Sequence, residues 1–342
     1  MKRTIQKIQK RVSKLCQEYI NPEVLYKNRI TRRLLGERDI EIAAYRHFGL
    51  RLAADFDGVC REISSNHRAM VIRRGQWSNK YFNTACLSNT LSLILYALFN
   101  GYVPIIDINR GDDDYFHWDW FFRQPAEIVC PKGLDDFSLT DCKVDTISFN
   151  EGWIFSNDRD ENFIVWSFLY KTFVLLNDEA RRYIKDEEIY MSISYADTLG
   201  VLARGTDYIS LKPKWHPVQP DLPELIKKAE EYMKTFGLHK IYLATEEERI
   251  YLCFADYFGK DCILVNKRTY YDSKYIEGEL IGKVHFDRPN DNYWKSIEYL
   301  SSLIILSKCH ELCAGNCGGT KFALLRSDSY KLPYVFNYGY YS

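Results

Sequence analysis

The chain has 342 residues, 46% hydrophobic and 27% charged, with 46 basic side chains against 46 acidic ones. That mixture is globular rather than disordered and long enough for two domains, and a formal net charge of zero excludes a chain-wide footprint for nucleic acid. Ten cysteines, a charged start with no apolar signal segment, and no apolar run near the ~20 residues that span a bilayer predict reduced thiols in a cytoplasmic protein.

Residues 1–20 carry Ile5, Ile8, Val12, Leu15 and Tyr19 at alternating steps of three and four, which predicts an amphipathic helix closed by Asn21-Pro22. From Met1 to Gly36 ten Lys/Arg stand against two Glu, a local net charge of +8. This basic helical region, 1–36, has two open readings: a helix packed on its own domain, or one whose basic face lies on an anionic membrane.

Further on, "NTACLSNTLSLILYALFNGYVPIID" predicts a helix over Leu87 to Phe99, a left-handed cap at Asn100-Gly101 and a strand over Val103 to Ile106. That is a helix–strand unit of an α/β domain. "GDDDYFHWDWFF", Gly111 to Phe122, is an aromatic-rich loop, suited equally to lining an acceptor cleft or to burying a few rings.

The second half is more regular. "LGVLA", Leu199 to Ala203, has the unbroken apolar character of a buried parallel strand, and a long polar loop follows it. "PDLPELIKKAEEYMKTFG" predicts a helix capped by Asp221 and stopped by Gly237, with Leu222, Leu225, Ile226, Ala229, Tyr232 and Met233 as its buried stripe. "KIYLAT" is the next strand, "EEERIYLCFADYFG" the next helix and "CILVN", Cys262 to Asn266, a third strand. This β-α-β-α-β order predicts a parallel, doubly wound half, with a boundary near residues 190–196.

In such a sheet ligands bind at the carboxyl edge. "ARGTDY" puts Arg204, Thr206 and Asp207 there, and an arginine fork suits a phosphate. The loop after it holds Lys212, Lys214 and His216, and the next strand ends in Glu246 and Glu247.

Here the chain resembles the GDP-fucose-dependent fucosyltransferases of the α1,6 and protein-O type and their bacterial relatives. The pieces are "ARGTDY", "WHPVQP", "EEYM", "YLATEEE" and "IILSKCHELCAGNCGGTKFAL", in that order over roughly Leu199 to Leu325. The resemblance implies a GT-B fold, two Rossmann-like α/β domains facing a cleft. The acceptor-side domain would occupy 37–192 and the nucleotide-sugar domain 193–342. It implies a metal-independent, inverting glycosyltransferase without a cofactor, moving fucose from GDP-fucose, or a sugar from another nucleotide sugar, to a glycan hydroxyl in surface-polysaccharide assembly. The acceptor would be a glycan or lipid-linked glycan, and residues 1–20 would allow peripheral contact with the inner membrane face.

Arg204 is then the group that stabilises charge on the leaving diphosphate, aided by backbone N–H groups of Gly318, Gly319 and Thr320. Thr206, His216, Glu246, Glu247 and Ser302 are the other donor-side candidates. Asp207 has two readings, orienting Arg204 or its loop, or accepting the hydroxyl proton in place of the family's Glu five residues later, which is Lys212 here. A carboxylate among Asp112, Asp113 and Asp114 is the alternative base. Leu202 stands where the family has His, Ser302 where it has the guanine-reading Asp, and "NTACLSNTL" where it has a Gly-rich loop. Two readings from other classes stand beside this one. The first is a catalytically silent nucleotide- or glycan-binding module. The second is a metal or cluster protein built on Cys309, Cys313 and Cys317, against which count their four-residue steps and the interrupting glycines.

Overall fold

A computed structural model describes residues 21–28, 31–32, 36–73, 80–109, 115–151, 160–271 and 284–342. The helix expected over 1–20 lies outside the described residues, as do Asp112, Asp113 and Asp114. The chain order is α1 (Pro22–Lys27), α2 (Glu37–Ala54), α3 (Phe56–Ser64), β1 (Arg68–Ile72), α4 (Thr84–Phe99), β2 (Val103–Ile106), α5 (Pro125–Val129) and β3 (Ser138–Asp141). Then come α6 (Glu161–Phe173), α7 (Asp178–Met191), β4 (Thr198–Ala203), α8 (Thr206–Leu211), α9 (Leu222–Phe236), β5 (Lys240–Thr245) and α10 (Glu248–Phe258). The chain closes with β6 (Ile263–Leu264), α11 (Asp291–Leu306), β7 (Glu311–Gly315), α12 (Gly318–Arg326) and β8 (Tyr334–Phe336).

These strands form two parallel sheets: β2-β1-β3 in the first half and β6-β5-β4-β7-β8 in the second. The protein is therefore an α/β protein with one parallel sheet in each half. In the second sheet β4 runs to β5 and β6 on one side, while the chain returns to β7 and β8 on the other. The topological switch point lies between β4 and β7, and the carboxyl ends there are where such sheets bind ligands.

The alternation of strand side chains divides the second half into two cores. Leu199, Val201 and Ala203 of β4, with Ile241 and Leu243 of β5, face α9 and α10, together with Ala229 and Phe254. Leu202, Tyr242 and Ala244 face the opposite way. They join α11 and the helices of the first half in one continuous cluster that includes Leu91, Phe99, Tyr170, Ile304 and Phe322.

Several elements match the expected ones. The side chain of Asp221 caps α9 by accepting from Glu224 N at 2.8 Å, and Gly237 ends it at φ +66. Leu225 and Ala229 are buried on its inner face, with Leu222, Ile226, Tyr232 and Met233 packed beside them. Other elements differ. α4 starts at Thr84, three residues early, because the Asn83 side chain caps it by accepting from Cys86 N. The expected strand over Cys262 to Asn266 shrinks to Ile263–Leu264, since a 3-10 turn takes Lys260–Cys262. The polar loop after β4 contains the short helix α8, and β8 adds an unexpected edge strand. The aromatic loop resolves toward packing: Phe116, Trp118, Phe121 and Phe122 are core residues.

α12 ties the halves together. Ser167 Oγ donates to Leu325 O at 2.7 Å, and Arg326 Nη1 donates to Tyr170 O and Val174 O at 3.0 Å. Lys321 Nζ lies 2.7 Å from Glu151 Oε1, whose other oxygen accepts from Tyr170 OH at 2.9 Å. Both partners of that ion pair are largely buried, at 13% and 7% side-chain exposure. Removing one partner of such a pair strands the other. Lys321→Met should therefore cost about 3–5 kcal/mol of stability. Adding Glu151→Leu should recover part of it, read as urea unfolding midpoints. Equal midpoints for wild type and Lys321→Met would contradict the account.

Candidate functional site

β4 is buried along its whole length and ends at Ala203, so Arg204 is the first residue free to leave the core. Its guanidinium lies over the Tyr208 ring, 4.5 Å from the centroid, a cation–π contact. Arg204 Nη1 is 3.9 Å from Glu246 Oε2. Tyr208 in turn meets the His216 ring edge-on at 5.0 Å. Arginine, tyrosine and histidine thus form one stacked series leading from the sheet edge into the loop after α8.

That loop is held in an unusual conformation. Lys212 and Trp215 both have positive φ, 43° and 67°, a region non-glycine residues seldom occupy. The C-terminal segment fixes it: Trp215 N donates to Tyr341 O at 2.9 Å, Tyr341 N to His216 O at 3.0 Å and Val218 N to Gly339 O at 3.0 Å. His216 Nδ1 lies 3.2 Å from the Lys214 carbonyl oxygen. Lys212, at the position where the resemblance would put a base, is exposed.

The two glutamates after β5 diverge. Glu246 turns into the cleft beside Arg204. Glu247 is 2% exposed and runs beneath the Arg-Gly-Thr turn. A Cβ added at Gly205 would fall 1.4 Å from Glu247 Oε1, so the residue after Arg204 must be glycine for the turn to sit over this carboxylate. Thr206 and Asp207 open α8, and their side chains lie outside the described residues.

A cleft opens along these strand ends. Its walls are Leu202 to Arg204, Ala244 to Glu246, Arg268, and Tyr299, Ser302 and Leu303 of α11, with Cys317 at one end. Of the residues expected from sequence, Arg204, Glu246 and Ser302 line it. His216 joins through Tyr208, and Glu247 sits behind it. Ser302 Oγ donates back to Glu298 O at 2.8 Å. Arg268 and Tyr299 were not anticipated. Arg268 lies just past the carboxyl end of the third strand, so the rule that selected Arg204 also reaches it. Tyr299 lies on a helix face with no motif to mark it. Burial raises its hydroxyl pKa, so it stays protonated as a hydrogen-bond donor.

α12 begins just after Cys317, which lines the cleft, whereas Gly318, Gly319 and Thr320 are not among its lining residues. Among the described residues, no side chain caps its first turn at Cys317. The N–H groups of Gly318, Gly319 and Thr320 there are the kind that bind anions at a helix start. Both glycines are forced by crowding. A Cβ on Gly318 would meet Thr84 Oγ1 at 2.0 Å, and one on Gly319 would meet Leu303 at 2.9 Å and Tyr299 OH at 3.2 Å. Gly318 thereby lets the start of α12 touch the start of α4, the segment "NTACLSNTL" of the first half. Thr320 Oγ1 donates to Gly315 O at 2.5 Å and closes the turn, so only its backbone is left to face a ligand.

The three cysteines do not converge. Cys313 packs in the α9 face of the sheet, while Cys309 and Cys317 pack in the opposite core. Burial pushes the Cys309 and Cys313 thiols well above their ordinary pKa, which disfavours the thiolate a metal needs. Among the described residues no group of three or more His, Cys, Asp or Glu is arranged to hold a metal ion.

No protein-family model matches the chain, and no curated protein matches it. Among solved structures it is similar to the fucosyltransferase NodZ from Bradyrhizobium, at 14% identity and a TM-score of 0.41, over 75% of this chain and 92% of that one. It is also similar to the apo form of POFUT1, at 10% identity and a TM-score of 0.33, over 78% of this chain and 74% of that one. POFUT1 in complex with GDP-fucose aligns at 11% identity and a TM-score of 0.33, over 79% and 74%. At such scores these likenesses carry no weight on function, which rests on the cleft's own residues.

Gly205→Val should force Glu247 from beneath the turn, an overpacking that costs about 1–3 kcal/mol. A lowered urea midpoint is the expected result, and an unchanged one would contradict the packing described.

Proposed function

We propose that the chain is a glycosyltransferase that uses a nucleotide sugar, with fucose from GDP-fucose as the leading donor. The observation that carries this reading is the position of Arg204. It stands at the carboxyl end of a buried parallel strand, beside the switch point, in a cleft also lined by Cys317, the residue before α12. The "ARGTDY", "WHPVQP" and "YLATEEE" pieces in register support the same reading.

In the proposed reaction an acceptor hydroxyl attacks the anomeric carbon. The new C–O bond forms as the bond from that carbon to the diphosphate oxygen breaks, in line, so the configuration inverts. The electron pair departs on the diphosphate, whose growing negative charge is met by Arg204 and by the N–H groups of residues 318–320. A fixed guanidinium supplies there the charge that a divalent ion supplies elsewhere, which is why the reaction is proposed to be metal-independent. The hydroxyl proton passes to a carboxylate, for which Asp207 is the nearest candidate in sequence, or to the departing diphosphate.

The acceptor is proposed to be a glycan or lipid-linked glycan in polysaccharide assembly. Nine described cysteines are free thiols, consistent with a reducing compartment such as the cytoplasm. Among the described residues no helix is long and apolar enough to cross a membrane. Peripheral membrane contact through residues 1–20 is part of the proposal. A second reading, a silent donor-binding module, is favoured by one observation, the exposed Lys212 at the family's base position. Tight donor binding with neither transfer nor hydrolysis would select it.

The test is a panel of nucleotide sugars with mixed glycan acceptors. Transfer should survive EDTA, and Arg204→Ala should lower kcat by about 100- to 1,000-fold. Full activity in Arg204→Ala, or loss of transfer on EDTA that returns with metal, would overturn the mechanism.

A further inference from the structure

Arg268 belongs to none of the motifs that carry the resemblance, yet it lines the same cleft as Arg204. Its side chain is only 6% exposed. A guanidinium so buried normally has its N–H groups taken up by acceptors held close. Among the described residues Arg268 Nε has no hydrogen-bond partner, and its one acidic neighbour is Glu246, with Nη2 3.9 Å from Oε1. The other oxygen of that carboxylate is 3.9 Å from Arg204 Nη1. Both separations exceed hydrogen-bonding distance. The Glu246 carboxylate thus stands between two guanidinium groups, 3.9 Å from each, and leaves the buried Arg268 Nε without an acceptor among the described residues.

We infer that Arg268 is a second diphosphate-holding residue, and that the donor's two phosphates lie between Arg204 and Arg268 with Glu246 behind them. The inference rests on the nucleotide-sugar reading of the cleft and adds to it a residue and a polarity. The strand order β6-β5-β4-β7 sets the polarity. Arg204 is beside the switch point and the α12–α4 contact, where the first half approaches. Arg268 is two strands further out. The phosphate bearing the sugar therefore takes Arg204, and the phosphate bearing the nucleoside takes Arg268. Charge on the nucleoside-side phosphate changes little during transfer. Arg268 then contributes to binding in ground state and transition state alike, whereas Arg204 acts where charge develops.

The test is calorimetry with GDP, UDP and inorganic pyrophosphate on wild type, Arg268→Gln and Glu246→Gln, joined to steady-state kinetics with the active donor. Losing charge-assisted hydrogen bonds should weaken both pyrophosphate and the preferred nucleoside diphosphate about 10- to 100-fold in Arg268→Gln. KM should rise by a similar factor with kcat nearly unchanged. Glu246→Gln should bind the diphosphate more tightly than wild type, because a like charge is gone, and misfolding would not produce that sign. The inference is overturned if Arg268→Gln binds GDP and UDP as wild type does, or if it loses the nucleotide but keeps pyrophosphate, which would make it a reader of the base. Wild type that binds pyrophosphate in an Arg268-dependent way but neither nucleotide would overturn the nucleotide-sugar reading and leave the anion site standing.

Discussion

β4 carries six consecutive buried residues, Thr198–Ala203, and then an arginine. A guanidinium cannot follow the strand into the core, because burying an unpaired charge costs far more than the strand gains. The chain must surface at the carboxyl edge, and it does so beside the switch point of the sheet. Most of the cleft follows from that placement. Gly205 lets the turn settle over Glu247, Tyr208 lies under the emerging guanidinium, and His216 meets Tyr208 edge-on. The strained loop from Lys212 to Val218 is the outermost layer, held by the C-terminal segment.

α12 makes the second constraint. Cys317, just before its start, lines the cleft, while its body is bonded to α6 of the first half. Leu202 and Tyr242 share a core with Leu91 and Phe99, so the two sheets are not independently packed bodies in this structure. The cleft is lined by second-half residues, and the first half abuts it where Gly318 packs against Thr84.

What could be read from sequence was what local chemistry determines. Asp221 and Gly237 bound α9 because a cap and a left-handed stop act within one turn. Arg204 was legible because a short apolar strand followed by arginine has few places to go. What escaped was set at long range. The edge strand β8 is only Tyr334, Val335 and Phe336, too short to show a period, and it exists because β7 offers it an edge. The separation of Glu246 from Glu247 depends on Gly205, forty residues earlier in the chain. The cysteines repeat at a spacing that suggests convergence, yet the pleat of β7 sends Cys313 to the face opposite Cys309 and Cys317. Arg268 was missed because the third strand carried no motif to draw attention to its end.

The most direct measurement is a crystal structure of the protein bound to the nucleoside diphosphate of its preferred donor. The account predicts phosphate oxygens within hydrogen-bonding distance of the Arg204 guanidinium, with the terminal phosphate facing the N–H groups of Gly318 to Thr320. A diphosphate bound on the β2-β1-β3 sheet of the first half, or one in the cleft with its base toward α12 and its phosphates away from Arg204, would contradict it.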